Sequence, residues 1–445
     1  MSDQIELLFS TPAMSAVFSA QAHVRAMLAF EAALAHSEAQ AGIIPSEAAQ
    51  AIAAACQVEL FDVTALYREA ALAGTLAIPL ARMLTAQVEG EAKKFVHWGA
   101  TSQDAIDTAL MLQMREGLNL LLEGLLAVGA ACATLAEQHR HTLMVGRTLL
   151  QQALPITFGL KAARWLALVT RQVKILQQHL DRTLTVQLGG AAGTLASLGE
   201  KGLEVVELLA AELKLAVPDL PWHTERDRVA HIAGTLGVVA GAMGKIGTDL
   251  VLLAQTEVGE ASEGAAPGKG GSSAMPHKRN PVDATAAIAA SRLAVGVIPV
   301  ILSAMSQEHE RAVGGWQAEW AAIPELFRFT ARAVEGIRGA VTNLQVDSAQ
   351  MQANLDLTRG LIMAESLTMT LAQKVGRAEA YRMVQAACKK VVDEDKELRQ
   401  VVGEDALVRG NLTPEEIELA LDPGQYLGST DIFIDRALNA YALCL

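Results

Sequence analysis

Residues 227–260, DRVAHIAGTLGVVAGAMGKIGTDLVLLAQTEVGE, form a near-continuous helical pattern with apolar side chains on more than one side. At the helical rise per residue such a helix would reach roughly 50 Å. A helix with two apolar faces must bury both, inside a large bundle or against another subunit. A membrane span is the competing reading, and Lys245 and Asp249 within the stretch weigh against it.

The rest of the chain fits the bundle. Residues 154–184, LPITFGLKAARWLALVTRQVKILQQHLDRTL, repeat the long helical pattern, and residues 25–34, RAMLAFEAAL, predict a further helix. The Pro45 turn follows, with Ser46 expected to cap the next helix. Apolar residues make up 51% of the 445 and aromatics 4%, with little β-branched alternation, so an almost all-α protein is predicted. Near residue 347 the helices shorten. Thr413-Pro414-Glu415-Glu416 reads as a capping box, and Ala380, Val384, Ala387 and Val391 mark one buried stripe. Three helical lobes are therefore expected: 1–100, a central long-helix bundle over 101–345, and 346–445.

A net charge of −13 disfavours nucleic acid and anionic membrane as partners. Cys56, Cys132, Cys388 and Cys444 have no metal or disulfide spacing and read as free thiols. The N-terminus MSDQIELLFS carries acid where a secretion signal carries positive charge, and no uncharged apolar run reaches the roughly 18 residues of a span. A cytoplasmic protein with no membrane partner is the expectation.

Against this helical background, residues 268–281, GKGGSSAMPHKRNP, are a glycine-rich loop. A phosphate cradle is excluded by spacing. GAAPGKGGSS, from Gly264, is one residue short of the P-loop pattern and has Gly270 where the magnesium-binding hydroxyl belongs. What remains is a flexible anion-binding lid with two hydroxyls, Ser272 and Ser273, followed by Lys278 and Asn280 between Pro276 and Pro281.

SSAMPHKRNP resembles the signature loop of the fumarase/aspartase superfamily, whose members reversibly eliminate a group β to a carboxylate. HWGATSQD (97–104), GRTLLQQALPITFG (146–159), GGAAGTLASLG (189–199) and the TEVGE segment (256–260) resemble its other regions. The resemblance implies an all-α homotetramer in which three segments from different subunits build each shared active site. Many members carry a His in the second segment and a Glu seven residues after the loop lysine. Leu149 and Thr285 stand at those positions here. That pair assists departure of poor leaving groups by proton transfer. A carboxylate, whose conjugate acid has a pKa of about 4, leaves without it. The chemistry indicated is cycloisomerisation, in which a carbon–carboxylate oxygen bond is made or broken.

PWHTERDR (221–228), QEHERAVGGWQAEW (307–320) and LDLTRGLIMAESL (355–367) resemble the bacterial 3-carboxy-cis,cis-muconate cycloisomerase sub-family. In that sub-family the residue at position 149 is typically bulky, often Trp, so Leu149 changes the pocket. The resemblance implies an intramolecular lyase of the protocatechuate branch of aromatic degradation, acting on a small polycarboxylate with no cofactor and no metal. Ser272 is the expected proton donor and base. Lys278 and Asn280 would hold the carboxylate whose α carbon is protonated. Thr101 and Ser102 would bind a carboxylate at a helix start. Arg147 and Arg311 would clamp the other carboxylates, with a structural ion pair as the alternative for each. Gln151 would donate to substrate, and His97 would orient it by a hydrogen bond. His309 is left outside the site; Trp98 and Trp316 are candidates to line the pocket, with apolar packing the preferred reading. The alternatives are an adenylosuccinate-lyase-type amine elimination and a non-catalytic helical scaffold of the same fold.

Overall fold

The computed structural model describes residues 8–445. The N-terminal helices are α1 (Pro12–Val17), α2 (Ala20–Gln40), α3 (Ser46–Ala55), α4 (Val63–Ala73) and α5 (Ala77–Gln87). The long helix α6 (Ser102–Gln138) leads to strands β1 (Leu143–Thr148) and β2 (Gln151–Thr157), and then to α7 (Phe158–Arg182) and α8 (Gly202–Leu213). Next come α9 (Asp227–Leu253), β3 (Ala261–Ser262), α10 (Val282–Ser303), α11 (Gly315–Thr342) and β4 (Gln345–Val346). The chain closes with α12 (Ser348–Asp356), α13 (Ala364–Val375), α14 (Arg377–Glu394), α15 (Leu398–Glu404), α16 (Ala406–Arg409), α17 (Pro414–Ala420) and α18 (Thr430–Ala442). The fold is all-α, and among the described residues its only sheets are the antiparallel pairs β1–β2 and β3–β4.

Two compact units emerge, each assembled from separated stretches. The first comprises Met1–Leu125, Gln172–Gly244 and Ala286–Gly336, the second Leu126–Arg171, Lys245–Thr285 and Ile337–Leu445. In the first, α2 lies against α3 and α8 around buried Phe30, Leu34, Ile52, Leu80 and Leu209. Each such side chain stabilises the fold by about 1.5–3 kcal/mol. The same unit buries Arg226, which donates to Glu319 Oε2 at 2.6 Å and to Asp107 Oδ2 at 2.7 Å, while Trp316 Nε1 donates to Asp107 Oδ1 at 3.0 Å. Each of the two carboxylates is thus hydrogen-bonded to the one guanidinium, so none of the three buried groups is left without a partner.

In the second unit the capping box forms as expected: Thr413 and Glu416 exchange hydrogen bonds across the start of α17, with Pro414 at its first position. Ala380, Val384, Ala387 and Val391 are all buried along α14. Asp249 on α9 accepts from Trp165 Nε1 at 2.7 Å and pairs with Lys245 one turn earlier.

Three expectations are corrected. Pro45, with φ −64°, takes the N-cap position itself, so Ser46 starts α3 without a side-chain cap. Residues 154–157 belong to β2 rather than to the following helix. Pro155 pairs with Val145 in the hairpin, and Thr157 Oγ1 accepts from Leu160 N at 3.1 Å to open α7. The helix of residues 227–260 ends at Leu253; Gly259 adopts φ 60°, and Glu260 N donates back to the Leu253 carbonyl at 3.0 Å. By length and composition α6, α9 and α10 are each sufficient to cross a membrane.

Candidate active site

In the first unit the predicted residues gather at the start of α6. Ser102 is its first residue, and Thr101 precedes it with its amide donating to Asp104 Oδ2 at 2.9 Å. Asp104, fully buried, also accepts from Gly189 N and Gly190 N at 3.0 Å each and from His223 Nε2 at 2.7 Å. One carboxylate thus fixes the helix start, the double-glycine turn and His223. Arg311 donates to the Ala191 carbonyl of that same turn at 2.8 Å, so it sits beside the glycine segment without a carboxylate partner among the described residues.

His97 adopts φ 56°, a left-handed conformation that a side-chain-bearing residue holds only when its surroundings impose it. Its Nδ1–H donates to Glu31 Oε1 on α2 at 2.6 Å, and it stays about one-fifth exposed. Burial draws the imidazole's pKa down, but the charges of Glu31 and Asp104 and the Glu31 hydrogen bond outweigh it, and the net shift is upward. Trp316 is buried as a packing residue, whereas Trp98 is exposed. Asp104, His223 and Glu31 were missed at the sequence level. Asp104 lies inside the HWGATSQD motif, and that membership was the available signal.

In the second unit Arg147 stands just after a register shift in β1 and donates both terminal nitrogens to Glu260, at 2.8 and 2.7 Å. Asn354 Nδ2 adds a third bond to the same fully buried carboxylate at 2.8 Å. The ion-pair alternative therefore describes the Arg147 geometry, and the remaining guanidinium N–H groups are what it can offer a ligand. Leu149 and Leu150 form the hairpin tip with φ 50° and 64°, and Leu149 is 96% exposed. Gln151, the first residue of β2, is exposed beside that tip.

The glycine-rich loop belongs to this unit. Ser272 Oγ accepts from Met275 N at 3.1 Å and from Ala274 N at 3.4 Å, so two backbone amides face the hydroxyl oxygen. Asn280 N donates to the Gly270 carbonyl at 2.8 Å, and its side chain to the Gly271 carbonyl at 3.3 Å. Gly270 has φ 72°, and a Cβ there would lie 2.7 Å from the Asn280 carbonyl oxygen, so the loop crosses itself where only glycine fits. Lys278 is exposed. The loop's far end is clamped by Lys269, which bonds Asp283 at 2.6 Å and Glu263 at 3.3 Å, while Glu263 accepts from the Asp283 and Ala284 amides at the head of α10. Thr285 turns its hydroxyl onto the Pro281 carbonyl at 2.6 Å.

This architecture and these motifs define a class. The lyase family model matches residues 7–296, and the adenylosuccinate lyase C-terminus model matches residues 360–437. The chain belongs to the fumarase/aspartase superfamily of lyases. Its nearer kin are equally plain. A 3-carboxy-cis,cis-muconate cycloisomerase of Pseudomonas aeruginosa is 46% identical over 97% of this chain and 94% of that protein, and one of Bradyrhizobium diazoefficiens is 46% identical over 97% of both. The crystal structure of 3-carboxy-cis,cis-muconate lactonizing enzyme from Pseudomonas putida superposes with a TM-score of 0.93 at 42% identity, covering 99% of each chain.

Proposed function

We propose that this chain is a 3-carboxy-cis,cis-muconate cycloisomerase, an intramolecular lyase that closes its small polycarboxylate substrate to a carboxymuconolactone in protocatechuate breakdown. The observation that carries this beyond the superfamily is the pair Leu149 and Thr285. An aliphatic side chain and a hydroxyl committed to the Pro281 carbonyl occupy the positions of the superfamily's acid–base pair. An amine-eliminating enzyme needs that pair more than a lactonising one does.

In the forward direction a substrate carboxylate oxygen adds to the β carbon of a conjugated acid. The double-bond electrons move into that acid's carboxylate as an enediolate, and Ser272 Oγ delivers its proton to the α carbon. Solvent then restores the serine proton, so the reaction is a net isomerisation and draws on no cofactor or metal. The two amides on Ser272 Oγ support this role, because they stabilise the alkoxide left behind. Lys278 and Asn280 hold the carboxylate that gains charge. Thr101, Ser102 and His97 bind another at the start of α6, and Arg147, Arg311 and Gln151 complete recognition.

The two groups of residues come together in a cytoplasmic homotetramer with shared active sites. Support comes from α10, which leaves Leu293, Val295, Val300 and Leu302 at least 40% exposed as a face suited to sister helices. The lobes 1–100, 101–345 and 346–445 are the proposed domains of that assembly. The deciding experiment is loss of diene absorbance with 3-carboxymuconate, compared with the Ser272→Ala protein. Wild-type-like turnover by that variant removes Ser272 from proton transfer. Cleavage of adenylosuccinate by the wild type would favour the amine-eliminating reading, and inertness toward both substrates the scaffold.

A further inference from the structure

Behind His97 the first unit buries two acidic side chains that the reaction does not use directly. Glu31 and Glu38 lie seven residues apart on α2, on one face two turns apart, and are 3% and 0% exposed. Leu34 and Ala35 between them belong to the apolar cluster. Glu31 Oε1 has the His97 imidazole at 2.6 Å, whereas Glu31 Oε2 and both oxygens of Glu38 have no hydrogen-bond partner.

Among the described residues no cation other than His97 is hydrogen-bonded or ion-paired to either carboxylate. From α8, packed on α2, Val205, Val206 and Leu209 are buried while Glu204 and Glu207 stay outside, and its Glu212 faces His36 near the surface at 3.4 Å. Lys201 gives its ammonium to the Ala41 carbonyl past the end of α2. The Cys56 thiol faces Glu31, and burial together with that charge pushes it up to about 12. Asp104, whose charge also acts on His97, is occupied by its own four donors.

Two neighbouring carboxyl groups in an apolar cluster do not both stay charged without a cation. Glu31 has an imidazole to share its charge with, and Glu38 has nothing. Burial first, and the charge of Glu31 second, push the Glu38 carboxyl up to about 9.

We propose that Glu31 is the positioning residue for His97: its contact with Nδ1 holds the ring as an imidazolium with Nε2–H turned to a substrate carboxylate, while Glu38, seven residues on, is a neutral buried acid that takes no part in binding. The inference rests on the reading of His97 as a substrate-binding residue. His97 Nε2 makes no hydrogen bond among the described residues, which leaves that N–H for a ligand. For a substrate with three carboxylates, a cation locked in place is worth more than one that dissociates near neutrality.

The test has one arm without substrate and one with it. Infrared difference spectra of the whole enzyme at about pH 7.5 should contain the C=O stretch of a protonated carboxylic acid, kept in Glu31→Gln and lost in Glu38→Gln. Histidine-selective 15N spectra, assigned with His97→Gln, should show His97 charged at that pH in wild type and Glu38→Gln but neutral in Glu31→Gln. With 3-carboxymuconate, Glu31→Gln should raise KM about tenfold above neutrality while kcat changes less, and a lower pH should narrow the gap. Glu38→Gln should leave kcat/KM near the wild-type value. An absent protonated-acid band, or a His97 titration that Glu31→Gln does not move, overturns the proposal. Wild-type inertness toward carboxymuconate would instead defeat the functional reading, with the spectra still deciding the state of His97.

Discussion

Replacing Asp104 with alanine removes the acceptor for Thr101 N at 2.9 Å, Gly189 N and Gly190 N at 3.0 Å and His223 Nε2 at 2.7 Å, at a site with no solvent exposure. A hydrogen bond to a charged group contributes about 1.5–3 kcal/mol, and a stranded buried donor costs about as much. The four are not additive, because one entering water can serve two of them. A net loss of about 3–5 kcal/mol is expected, the range seen when one member of a buried charged network is deleted. Asp104→Asn keeps one acceptor oxygen but sets an NH2 group against amide donors, so about half that loss is expected. Urea unfolding at fixed protein concentration provides the assay, followed by circular dichroism and by the fluorescence of Trp222, the neighbour of His223. KM should rise in both variants, since Thr101 and the glycine turn lose their common anchor. An alanine variant within about 1 kcal/mol of wild type would refute the assignment of Asp104 as the organiser of this corner.

Gly270→Ala should lower kcat/KM by about ten- to hundredfold with little change in thermal stability, because the added Cβ disturbs an exposed loop rather than the core; steady-state kinetics and a melt separate the two effects. Arg147→Lys replaces a two-pronged contact with a point charge against fully buried Glu260, and denaturant titration should register a loss of about 2–3 kcal/mol. Glu38 makes stability depend on pH. Its carboxyl is raised from 4.5 when free to about 9 when folded, so the native state holds the extra proton between those values and the Glu38 contribution is lost as pH rises through that window. The stability of Glu38→Gln relative to wild type should therefore grow by up to about 1.4 kcal/mol per pH unit there, and a difference independent of pH would contradict the buried neutral acid.

Local chemistry was the part of the fold most legible in the sequence. The Thr413–Glu416 box and the α14 stripe were readable because caps and helical periodicity act within one or two turns. The β1–β2 hairpin was not, since the apolar residues 154–157 carry no period that separates a short strand from the first turn of a helix. At the site, the loop and the HWGATSQD motif pointed to Ser272, Lys278, Asn280, His97 and Thr101 because short motifs keep their residues together in the sequence. For Arg147 an ion pair was the alternative to a substrate clamp, but its partner could not be named because Glu260 is 113 positions away. Glu31 and Glu38 were invisible for a related reason: acids spaced by seven along a helix look like one solvated stripe, and only tertiary packing turns that stripe inward.

Residues 270–281 of the glycine-rich loop have both ends fastened by residues outside that stretch. Before it, Glu260 is gripped by Arg147 and Asn354; Glu263, also before it, and Lys269, near its start, tie to Asp283 just after it at the head of α10. A segment hung between fixed posts can change composition at little entropic expense, because the closure of the loop is set by its ends rather than by what fills it. Residues 270–281 are therefore a natural cassette. Loops exchanged among relatives of this fold should graft here without redesign of the frame, giving a direct route to trading one elimination chemistry for another on a single scaffold.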